Sequence, residues 1–161
     1  MTKSEPEQMF DDLLPGIELN VRNHDMLEPA LIVKLTDGAM LPVAMGMFFH
    51  KDRPGLKDVI MPIIEIIFKN EGVAMVAMIA ECWLGPQMSK EEAEAFNASQ
   101  DSVEGLEGRR EGVMVNIYNR GRRDEMFALE IEEGRTGVKP YRTTDNSHSI
   151  GRFVRQNPSD N

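Results

Sequence analysis

Cysteine is nearly absent from this 161-residue chain: Cys82 is the only one, so no disulfide can close within it and no cysteine cluster can hold a metal. A reducing, cytoplasmic setting is the matching expectation. Aromatic residues make up only 6%, with a single tryptophan, which leaves few rings on which bases could stack. The three histidines, His24, His50 and His148, fall in unrelated segments without H-E-x-x-H or H-x-x-E-H spacing, so no metal centre is expected. There is no glycine-rich phosphate loop and no G-x-S-x-G elbow, and the sequence points to no cofactor. No apolar run approaches the roughly 18–20 residues of a membrane span. The opening "MTKSEPEQMFDDLL" lacks the basic start and apolar block of a secretory signal. Positive charge is also in deficit: 18 Lys and Arg face 27 Asp and Glu, and a net charge of -9 opposes general attraction to nucleic acid or an anionic membrane.

What is present is enough apolar material, 41%, to fill the core of one domain, expected over residues 1–155 with 156–161 as a frayed tail. Charge is segregated along the chain. Residues 86–108 form an acidic segment, read as a mobile linker with a short helix at "SKEEAEAFN", whereas the arginines concentrate after Gly108.

Periodicity gives the order α-β-β-α-β-β-β, an α+β fold with a mostly antiparallel sheet of about five strands and two helices. Met9, Phe10, Leu13 and Leu14 mark the first helix, with a possible restart after Pro15. Asp37-Gly38 lies between two apolar runs and signals a tight hairpin whose turn residues are left-handed. Pro42 places the second strand at an edge or turns that position outward. Asp52 and Pro54 predict the start of a buried helix that ends at Gly72. "VAMVAMIAECWL" is apolar on both alternating faces, the mark of a central strand covered on both sides. A second hairpin follows, and a final strand is expected around residues 150–154.

The one charge in that central strand is Glu81. A carboxylate buried without partners costs several kcal/mol, so it requires a cation or hydrogen bonds, and an arginine is the cheapest solution. An antiparallel return brings Arg109 and Arg110 near Trp83, which makes them the expected partners and makes Trp83, Arg109 and Arg110 candidate binding residues. The alternative is a general acid or base at Glu81 working with His50 or Arg110 in a hydrolase. Cys82 alternates inward and reads as an inert thiol. Arg120, Arg122 and Arg123 surround the second hairpin's tip, where a basic ribbon could meet nucleic acid phosphates; solvated turn charges are the preferred reading.

The strand "AMIAECWL", the polar segment after it and "RREGVMVNIYNRGRRDEMFALEIE" together resemble a type of small bacteriophage and prophage protein. In that type an apolar strand ending in Glu-x-Trp precedes an acidic loop and an Arg-Glu-led hairpin. The resemblance spans residues 73–133, rests on Glu81, Trp83 and Arg110, and implies a phage-like origin without implying an activity. The expectation for function is a non-enzymatic protein that binds an unidentified protein or forms a homodimer, with no membrane and no nucleic acid as the favoured partner.

Overall fold

The computed structural model describes residues 2–50, 52–85, 89–99, 107–122 and 124–141. Arg123, the strand expected at 150–154 and the tail at 156–161 lie outside the described residues, as do residues 86–88 and 100–106 of the acidic segment.

Helix α1 (Glu5–Asn23) starts at a capping box: Ser4 Oγ accepts from Glu7 N at 3.3 Å while the Glu7 carboxylate accepts from Ser4 N at 2.7 Å. It continues through Pro15 without restarting, because Pro15 is exposed and water can reach the carbonyl that its missing N–H leaves free. Strands β1 (Ala30–Leu35) and β2 (Met40–Ala44) form the first hairpin. Leu35 N donates to Ala39 O at 2.8 Å and Gly38 N to Leu35 O at 3.0 Å, with Gly38 at φ 93°. Only the glycine is left-handed here. Asp37, expected left-handed as well, instead keeps a negative φ and accepts from Ala39 N at 2.9 Å through its side chain.

The second helical region also departs from expectation. Pro54–Val59 is a 3-10 segment without an Asp52 cap, and helix α2 covers only Ile60–Phe68. Pro62 accounts for this. Starting at Ile60 places it in the first turn, where backbone N–H groups have no partner in any case, instead of in a helix interior it would disrupt.

Strand β3 (Val73–Leu84), helix α3 (Lys90–Ser99), strand β4 (Arg110–Asn119), strand β5 (Glu125–Ile131) and strand β6 (Val138–Pro140) complete the order. The fold is α+β, with six antiparallel strands ordered β2-β1-β3-β4-β5-β6 and three helices among the described residues. That is one strand beyond the expected five, and the third helix, outside the two counted for the fold, is the short one expected in the acidic segment, where Ser89 Oγ accepts from Glu92 N at 3.2 Å. No helix among the described residues is long and apolar enough to cross a membrane.

The two faces of β3 feed two layers. Met75, Ala77 and Ile79 pack with Met9, Ile17 and Val21 of α1; Val76 and Met78 pack with Ile60, Ile64 and Phe68 of α2. Val73 joins the α2 layer, contrary to strict alternation, because a bulge pairs it with Leu35. Strand β4 is covered on both sides near its end: Val113, Val115 and Ile117 lie in the α1 layer and Tyr118 in the α2 layer. Gly112 is required by close approach, since a Cβ there would lie 2.5 Å from the Leu84 side chain and 2.8 Å from Leu129 O.

Among the described residues β2 and β6 are the edge strands, and each carries an outward-facing proline. Leu35 N to Ala39 O and Met45 N to Pro29 O fix the hydrogen-bonded positions, so alternation turns Met40, Pro42 and Ala44 away from β1. At the far edge, the bonds Glu132 N to Gly137 O and Tyr141 N to Ala128 O turn Val138 and Pro140 outward in the same way. Neither ladder loses a bond, and each open edge lacks a donor that an incoming strand would need.

Candidate functional site

Glu81 is neutralised by an arginine, but by Arg135 in the turn between β5 and β6. The Arg135 guanidinium pairs with Glu81 Oε1, and its Nε donates to His24 O at 2.9 Å and Val21 O at 3.2 Å. Glu81 Oε1 also accepts from Leu27 N at 2.6 Å. One ion pair thus ties together the end of α1, the approach to β1, the end of β3 and the β5–β6 turn. The cation sits where the last carbonyls of α1 concentrate partial negative charge, a favourable placement. Arg135 has φ 57°, the only left-handed non-glycine conformation among the described residues, and its three side-chain contacts hold it there. The side chains of the pair are 17% and 21% exposed, so both partners are largely withdrawn from water.

The expected partners lie elsewhere because of strand register. Leu84 pairs with Arg110 and Glu81 with Val113, so Arg110 projects to the opposite face and bonds Glu130 at 3.2 Å, which Lys139 also approaches at 3.7 Å. Arg109 lies over the Trp83 ring at 4.4 Å, a cation–π contact on a tryptophan that is 37% exposed. His50 is exposed and engaged locally: its Nδ1 accepts from Asp52 N at 3.3 Å. The neighbouring Phe48 and Phe49 pack into the α2 layer, so the sheet stands between His50 and Glu81, and no dyad forms. Burial, reinforced by the adjacent Glu81 charge, pushes the Cys82 thiol up to about 11, which opposes a nucleophilic role.

The hairpin tip is divided. Arg120 is structural: its Nε donates to Val73 O at 2.8 Å, its terminal nitrogen donates to Phe68 O and Asn70 O, each at 2.6 Å, and the guanidinium lies 5.4 Å from the Phe68 ring centre. It closes the C-terminal end of α2. Arg122 makes an exposed pair with Glu5 at 3.4 Å. Among the described residues no group of three or more His, Cys, Asp or Glu is placed to hold a metal ion.

The feature that sequence reasoning missed is a groove of about 340 Å³ beside α1. Leu13 and Ile17 form one wall, Ile32 and Ile79 the floor, and Pro42 and Ala44 the far wall. It exists because α1 packs over β4 and β5, and no other element among the described residues covers the same face of β1 and β2. A signal was present: "ALIVKL" is apolar at both alternating positions, yet the chain before it supplies one helix for a six-stranded face. Arg135 gave no such signal, since nothing periodic marks a turn residue that matters only through where the turn lands. Compared with protein-family models, with curated proteins and with solved structures, the chain has no match in any of the three.

Proposed function

We propose that this chain works by non-covalent association, with another protein or with a second copy of itself, as a small phage-type protein in a reducing intracellular setting, and that it carries out no chemistry of its own. The carrying observation is the apolar groove between α1 and the β1–β2 hairpin, a half-face that no element covers among the described residues, whereas the central strand β3 is buried on both sides along most of its length. Supporting it, Glu81 is paired with Arg135 and accepts from Leu27 N–H through Oε1, and His50 is held on the far side of the sheet. The likeness of residues 73–133 to small phage proteins supports the origin and adds nothing about mechanism. Light scattering coupled to size exclusion over a range of concentrations, with affinity capture from a host lysate, tests the reading. A mass that grows with concentration or a reproducibly retained protein is expected; a strict monomer that retains nothing contradicts it.

A further inference from the structure

We propose that the groove takes an amphipathic α-helix of a partner protein, apolar along one stripe and basic along its flanks; this rests on the association reading above. Strands in a sheet are about 4.8 Å apart, so the two uncovered strands offer a bed roughly 10 Å wide, the diameter of one helix. The bed is apolar at Ile32, Pro42 and Ala44 and walled by Leu13 and Ile17, which suits the i, i+3, i+4, i+7 side chains of such a helix.

A strand is a poorer occupant, because Pro42 faces the open edge beside the groove and withholds the central donor of any added ladder. A helix satisfies its own backbone and needs no edge.

Charge selects the sign of the partner. Glu28 lines the groove and Asp12 is exposed one helical turn before Gly16, a groove-lining residue; neither has a cationic partner among the described residues. Lys34, on the same face at the end of β1 beside Met40, is the one cation nearby in the strands. The same charges disfavour a second copy. Of the five carboxylates of helix α1, Glu5, Asp11 and Glu18 are paired with Arg122, Lys3 and Arg22, which leaves Glu7 and Asp12 without a cationic partner among the described residues, so seating the helix beside its twin would set like charges together.

The test uses the full chain and a fluorescent peptide of about 18 residues built from leucine and lysine at helical spacing, its glutamate-for-lysine twin and a scrambled version. Anisotropy should show the leucine-lysine helix binding at least about tenfold more tightly than either control. Gly16→Trp and Ala44→Trp fill the groove from opposite walls; a Cβ at Gly16 meets nothing within 4 Å and Ala44 is exposed, so both variants should fold by circular dichroism. Each should weaken the peptide at least about tenfold. Equal binding to the wild type and the folded variants, or preference for the acidic or scrambled peptide, overturns the proposal. So does dimerisation of the chain that Gly16→Trp abolishes, since the occupant is then a second copy. In these cases capture of a protein at another surface still leaves the association reading standing, whereas a chain that captures nothing and stays monomeric removes that reading whatever the peptide does.

Discussion

The α1-side face of the sheet has two halves, and they use their residues differently. Over β3 to β5 the helix is pinned: Arg135, Glu81 and the last carbonyls of α1 are bonded to one another, and the apolar side chains beneath are buried. Over β1 and β2 the same face is open among the described residues, its apolar residues partly or fully exposed and the carboxylates beside it without a cationic partner there. One helix about 10 Å across cannot cover six strands. The ion pair at its C-terminal end therefore decides which strands it covers, and the groove is what remains.

Breaking the pinned half should give the largest effect. Arg135→Ala strands Glu81 in a largely dry site and is expected to cost about 2–4 kcal/mol in urea denaturation. Adding Glu81→Gln to that variant should recover part of the loss, because the uncompensated charge is then gone.

Cys82, next to Glu81, reports whether that end of the sheet stays closed. Its thiol pKa is raised from 9.0 to about 11, so its thiolate fraction at pH 8 should make labelling about a hundredfold slower than in urea-unfolded chain. The fold holds this proton more tightly than the unfolded chain does. Its contribution to stability is therefore complete below pH 9.0 and lost as pH rises to about 11. Labelling at equal rates in both states would mean the end of β3 is open.

Gly112→Ala forces Leu84 aside and presses on Leu129 O, and should cost about 1–3 kcal/mol with the α1 groove unaffected. The smallest change sharpens the contrast from the open side. Gly16→Ala replaces an exposed helix-interior glycine and should raise stability by about 0.5–1 kcal/mol, read as a higher urea midpoint. A loss there would mean that the groove wall is packed against something.

The alternating runs of β1, β3, β4 and β5 carry their strand character in sequence, and Pro42 announces its edge, because these signals are local. Helix α2 is shorter than its apolar run implies for a local reason as well: Pro62 suits a first turn, and its apolar neighbours hide that preference. The need for an arginine beside Glu81 follows from the cost of burying a carboxylate, yet the choice of Arg135 depends on a contact between residues 54 positions apart. Arg109 and Arg110 were nearer in sequence and excluded by register. The groove is less legible still, since a helix's position across a sheet is a tertiary property.

The most direct measurement compares association and stability in two single variants of the full chain, Glu81→Gln and Gly16→Trp. A pinned scaffold with a separate binding half requires Glu81→Gln to lower the urea midpoint while association persists, and Gly16→Trp to abolish association at an undiminished midpoint. Association lost with Glu81→Gln and untouched by Gly16→Trp would contradict that division.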